Sequence, residues 1–186
     1  MKSDRAWADA LTSHAKAVDE CLARIREVPP AHWHVQARTD SWSPSEEALH
    51  VALSYEFGIA AAGGGPGMRL RVGPAAAWIS RELLLRIFLR AGVFPRGAVS
   101  PREVRPSNAE ARLMTIASLC ARLESAAAQS VQALRLANER NPAVTIVHAY
   151  FGPLPPLTIV RLLTVHTRHH ARHLSSYAIG ERIDNV

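Results

Sequence analysis

Several stretches of the chain repeat apolar residues every three or four positions and stop at proline or glycine, and this periodicity commits the polypeptide to helices. Trp7, Leu11, His14, Val18, Cys21 and Ile25 carry the first stripe, with Lys16, Glu20, Arg24 and Glu27 elsewhere on the cylinder, which predicts an amphipathic helix over 4–28 ended by Pro29-Pro30. Ser43 as N-cap, Pro44 at the first helical position and Glu46 three residues after the cap open a second helix that runs to about Ala62. Gly63-Gly64-Gly65-Pro66-Gly67 breaks it; with no strand before it and no Gly-Lys-Ser/Thr after it, this is a surface turn and not a phosphate loop. Residues 75–91 predict a third, strongly apolar helix, followed by a Pro/Gly/Arg-rich connection to Pro106. Ser107 with Glu110 caps a fourth helix, whose core stripe is Leu113, Ile116, Cys120, Leu123, Ala127, Val131 and Leu134; a last helix spans about 156–179. The Val144-Thr145-Ile146-Val147 run is too isolated to build a sheet. The expected fold is all-α: a four-helix bundle of the first, second, fourth and last helices, with the 75–91 helix as an additional crossover helix.

The length of 186 residues suits one domain, taken here as 1–186. A formal charge of +6 invites nucleic acid as a partner, but 20 arginines are dispersed from Arg5 to Arg182 without a charge run, so no nucleic-acid partner is expected. The uncharged stretch 141–160 contains Pro142, Pro153, Pro155, Pro156 and Gly152, which argues against a membrane span. No apolar signal segment opens the chain, and Cys21 and Cys120 read as buried free thiols, so a reducing, cytoplasmic location is expected. The wide apolar face of 75–91 favours self-association into a homodimer.

Nine histidines against two cysteines are the compositional signal, and their placement gives it content. On the last helix Ile159, Leu163, His166, His170, His173 and Tyr177 fall within a sector of roughly 80°, so three histidines continue an apolar stripe. His166 and His170, one turn apart, can present two imidazoles to one ion, and His50 on the second helix is the candidate third ligand. Burying several imidazoles is costly unless each finds a partner, and a divalent cation satisfies them together. His169 pairs with His173 at the same spacing but lies at the edge of the sector; His14 is either a further ligand or a hydrogen-bonded core residue. His32, His34 and His148 fall in connections and are set aside as ligands. No carboxylate occurs between Glu139 and Glu181, so an assisting acid must come from another helix, and Glu46, one turn before His50, is best placed if it is not consumed as a cap. A three-histidine site with one open position can lower the pKa of bound water or stabilise a thiolate.

Trp42-Ser43-Pro44 followed by His50, together with His166-x3-His170, resembles the DinB-like superfamily of metal-binding four-helix bundles. The segment His148-Ala149-Tyr150-Phe151-Gly152-Pro153-Leu154 is similar to a His-Pro-x-Phe-Gly stretch of one subset of uncharacterised relatives, with Ala149 in place of proline. The resemblance implies His50, His166 and His170 as the ligands of a divalent metal, with zinc or nickel foremost. It departs at His173, where many members carry glutamine; His173 then supports the ligands, replaces one, or joins Glu46 as a candidate catalytic group. Members of known activity include S-transferases that use a low-molecular-weight thiol, which makes a metal-dependent thiol transferase acting on a small-molecule thiol and an electrophile the first expectation. A non-catalytic bundle with a structural or sensory metal is the alternative. Arg96, Arg102 and Arg105 are placed to meet carboxylates of such a thiol, against a plain role in surface solvation.

Overall fold

A computed structural model describes residues 2–39, 41–92 and 99–178. Four long helices form the bundle: α1 (Lys2–Glu27), α2 (Pro44–Ala62), α6 (Ile116–Arg140) and α7 (Pro156–Ala178). Between α2 and α6 run α3 (Pro74–Ile79), a wide π turn (Ser80–Leu85), α4 (Arg86–Ala91) and the short α5 (Asn108–Leu113); β1 (Ile146–His148) and β2 (Gly152–Leu154) precede α7. The most extensive packing is α1 on α7 and α2 on α6, and α2–α7 and α1–α6 contacts close the ring. The interior holds Cys21, Ile25, Leu123 and Leu134 from the predicted stripes, together with Ala17, Leu49, Tyr55, Val160 and Leu174, which lie outside them.

Helix α2 starts as the sequence predicts, with a reciprocal capping box between Ser43 and Glu46 and Pro44 in the first turn. The predicted fourth helix is two helices. Thr115 accepts from Ser118 N–H (3.1 Å) and caps α6 independently, while the Trp33 indole N–H donates to the Met114 carbonyl (2.8 Å) at the break. Ser107 caps α5 alone, its hydroxyl accepting from Glu110 N–H (3.5 Å). The break resets the helical phase, so Leu113, expected in the core stripe, is 84% exposed, and the α6 core begins at Leu119 and Cys120. The crossover helix is continuous through its π turn. Ala77 and Leu85 pack inward, while Trp78, Ile79, Leu83 and Ile87 remain exposed.

Residues 146–154 form a hairpin that the sequence reading did not expect. Gly152 takes a left-handed φ of 67°, which suits a residue without Cβ, and β1 and β2 pair antiparallel with His148 opposite Gly152. The strand is not isolated, because Met68 N–H donates to Val147 O (2.9 Å) and Arg71 N–H to Ala149 O (2.8 Å), so residues 68–71 flank it.

Helices α2 and α6 approach closely at Gly58, where an added Cβ would lie 2.7 Å from Ser130 Oγ. That hydroxyl is buried with no hydrogen-bond partner among the described residues. Gly58→Ala is expected to cost about 1–3 kcal/mol through overpacking. Ser130→Ala removes the obstructing oxygen and should recover most of that loss in the double variant, measured as non-additive urea-unfolding free energies.

Candidate metal centre

Neighbouring residues on a helix point about 100° apart, and this separates two adjacent glutamates at the start of α2. Glu46 turns back to the cap: its Oε2 accepts from Ser43 N–H (2.9 Å) and the Ser43 hydroxyl (2.9 Å), and its Oε1 from Asn108 Nδ2 (3.1 Å). Burial alone would raise its pKa, but these hydrogen bonds prevail and hold it below the ordinary carboxylate value. Glu47 turns to α7, where its Oε1 accepts from His170 Nδ1–H (2.8 Å) and His173 Nδ1–H (3.0 Å). The carboxylate that touches the histidines is therefore Glu47 and not Glu46, because the Ser43 cap takes one oxygen of Glu46 and Asn108 the other.

His50, His166 and His170 meet between α2 and α7. His166 Nε2 lies 3.0 Å from His50 Nε2 and 3.1 Å from His170 Nε2. The far side of His50 faces the Val104 carbonyl (Nδ1 to O, 2.7 Å). A carbonyl oxygen only accepts, so Nδ1 carries the proton and the neutral ring turns the lone pair of Nε2 inward. The Glu47 carboxylate fixes His170 in the same tautomer. Burial lowers the pKa of all three, and neighbouring imidazoles lower those of His166 and His170 further, so uncharged rings are favoured. Two inward lone pairs then face His166 Nε2, which can offer one proton at most. A cation between the three nitrogens satisfies all of them. Tetrahedral nitrogens held about 2.0–2.1 Å from a metal stand about 3.3–3.4 Å apart, a few tenths of an ångström more than the two separations seen, so a small outward shift of the rings makes His50, His166 and His170 a group able to hold a divalent ion. The Trp42 ring packs beside that of His50, 4.7 Å from it.

The other histidines sort by contact. His173 is exposed and rests on Glu47; Glu47, His170 and His173 form a second group of converging donor atoms that shares His170. His169 lies beside the cluster, 4.3 Å ring to ring from His173. His14 is buried on α1, edge-on to Tyr55 at 5.4 Å, and joins neither group. His34 Nδ1 meets Ser45 Oγ (3.0 Å), and His32 is exposed in a turn. His148, set aside from sequence, stacks on Phe151 (4.8 Å) and accepts from Tyr150 N–H (3.2 Å), close enough that a charge on it would be felt at His166. Arg102 and Arg105 are exposed on the segment that supplies Val104; Arg96 lies outside the described residues.

Comparison with known families matches the DinB superfamily over residues 10–174, and the chain belongs to that superfamily. Among solved structures it is similar to TT2238, described as a four-helix bundle protein, with a TM-score of 0.56 and 23% identity over 91% of this chain and 98% of that one, which supports the bundle fold. No curated protein matches the chain.

The two glutamates should separate in experiment. Glu46→Gln weakens the cap and is expected to cost about 1 kcal/mol, with zinc affinity retained. Glu47→Gln is expected to lower zinc affinity about 10- to 100-fold in competition with a chromophoric chelator. Burial also sets a pH dependence. It lowers the His14 pKa from 6.5 to about 4, so between those values the unfolded chain binds the proton that the folded protein does not. Stability of the metal-free protein should therefore fall as pH drops through this window. His14→Phe should remove up to about 3 kcal/mol of that loss, measured by urea unfolding at pH 7 and pH 4.5.

Proposed function

We propose that the chain is a divalent-metal-dependent enzyme, with zinc or nickel held by His50, His166 and His170, that transfers a low-molecular-weight thiol to an electrophile. The observation that carries the reading is the inward convergence of three Nε2 atoms, with Val104 O and Glu47 occupying the outward nitrogens of two of the rings. A divalent ion bound there supplies Lewis acidity that favours the thiolate form of a coordinated thiol.

The chain's own residues account for the rest. Val104 and Glu47 hold the tautomers of His50 and His170 before any ligand arrives, so little reorganisation is required on binding. Glu47 places a negative charge behind His170 and strengthens it as a donor, and His173 braces that carboxylate from the solvent side. Trp42 lies against the His50 ring and limits its movement. Buried Cys21 and Cys120 support a reducing, cytoplasmic setting for thiol chemistry, and no described helix is long and apolar enough to cross a membrane.

The test combines elemental analysis of tag-free protein with an assay of thiol consumption against an electrophile, across several thiols, in zinc- and nickel-loaded samples. Stoichiometric metal and metal-dependent turnover are expected, with both lost in His50→Ala and His170→Ala. Full metal occupancy in those variants would rule out the ligand set. Metal uptake with a lowered melting temperature in the variants, but no turnover with any thiol, would point to a structural or sensory ion instead.

A further inference from the structure

Arginine is dispersed along the chain, but its excess over acid is not. Residues 69–105 hold eight arginines against Glu82 and Glu103, a net +6 that equals the formal charge of the whole chain, so the residues outside this segment balance to zero. The same segment carries the exposed apolar surface. Of ten large apolar side chains exposed among the described residues, seven lie within it, and five of these, Trp78, Ile79, Leu83, Leu84 and Ile87, stand on the crossover helix. The other three, Val35, Leu113 and Leu136, are scattered over separate segments, as single exposed apolar residues ordinarily are.

The crossover helix is seated by one side only. Ala77 and Leu85 are buried, the Phe88 ring meets that of Phe151 edge-on at 6.2 Å, and Arg81 Nη1 donates to Pro153 O (3.4 Å). Gly92, with a left-handed φ of 66°, closes the helix, and its carbonyl accepts from Arg172 on α7 (2.5 Å). The hairpin that seats the helix also binds the two basic connections, through Met68 N–H to Val147 O, Arg71 N–H to Ala149 O and the Tyr150 hydroxyl to Val99 O. Excess charge and apolar surface are thereby gathered around one hairpin. On the helix itself Arg86 and Arg90 are exposed, and the carboxylate of Glu82 is already paired with Arg81 (3.0 Å) and Arg86 (2.8 Å).

This combination discriminates among partners. A nucleic acid answers the charge but leaves Trp78, Leu83 and Ile87 in water. A second copy covers those side chains but sets two segments of like charge against each other. An anionic bilayer surface satisfies both, with apolar side chains entering the headgroup boundary and arginines meeting lipid phosphates; tryptophan and arginine are favoured at that depth.

We propose that the crossover helix, residues 74–91, docks the protein on an anionic membrane surface, lying in the interface without spanning the bilayer. Docking uses none of the three metal ligands and is expected equally of metal-free and metal-loaded protein.

The full chain is mixed with sucrose-loaded vesicles of phosphatidylcholine, with or without about one-third phosphatidylglycerol, and the sedimented fraction is measured. Affinity is expected to be higher for the anionic vesicles by about 10-fold or more and to fall as salt rises. Leu83→Gln/Ile87→Gln should lower that affinity about 10-fold with the melting temperature unchanged, since both side chains are exposed. Arg86→Gln/Arg90→Gln should also lower it and flatten the salt dependence. Leu113→Gln, on α5, should leave it as it was. Anionic vesicles should move the tryptophan emission to shorter wavelength, a shift absent in Trp78→Phe. Equal binding to both vesicles, no binding to either, or undiminished binding by Leu83→Gln/Ile87→Gln overturns the proposal. A dimer that Leu83→Gln/Ile87→Gln dissociates in sedimentation equilibrium gives the face to a second copy and overturns it too, as does tighter binding to duplex DNA than to the anionic vesicles.

Discussion

A main-chain carbonyl and a buried carboxylate decide which edge of two imidazoles looks into the bundle, and the character of the site follows from that choice. Val104 O and Glu47 Oε1 each require a proton on Nδ1, of His50 and His170 respectively, so the inward Nε2 atoms are left as acceptors. Without these contacts the same rings could flip tautomer and donate to one another, and the cluster would be an ordinary buried hydrogen-bond network. With them, the interior carries more lone pairs than protons, a deficit that suits a cation.

Much of this was legible in the sequence because it depends on local rules. Helical spacing brought His166 and His170 to one face, and Ser43, Pro44 and Glu46 marked the start of α2 and thereby the phase of His50. The choice between Glu46 and Glu47 was not legible: either glutamate lies within a turn of His50, and only the contacts to Ser43 and Asn108 show which one the cap consumes. Val104 acts through its carbonyl, a group every residue possesses, so no side-chain pattern could announce it. The misassignment of Leu113 has a different cause. A continuous apolar stripe hid the Thr115 cap, and tertiary support for the break arrives from Trp33, 81 positions earlier in the chain.

The hairpin shows how non-local pairing escapes a periodicity argument. Three residues of β1 cannot sustain a sheet, yet residues 68–71 and β2 flank them on both edges. These segments come from two long connections, and together with the 99–105 segment they assemble on one side of the histidine cluster what no single stretch encodes. Loops positioned on a rigid bundle are where ligand specificity is ordinarily carried, and here main-chain hydrogen bonds join residues 68–71 to the hairpin and the Tyr150 hydroxyl joins the hairpin to Val99 O.

The missing methyl of Gly58 has a reach beyond its own contact. His50 sits on α2 between the Ser43 cap and the Gly58–Ser130 approach, so the helix is held along its axis at both ends. A slide of α2 by a single residue's rise, about 1.5 Å, would amount to half the 3.0 Å separation of His50 and His166 Nε2. The axial position of His50 thus depends in part on packing against α6, a helix that contributes none of the three nitrogens.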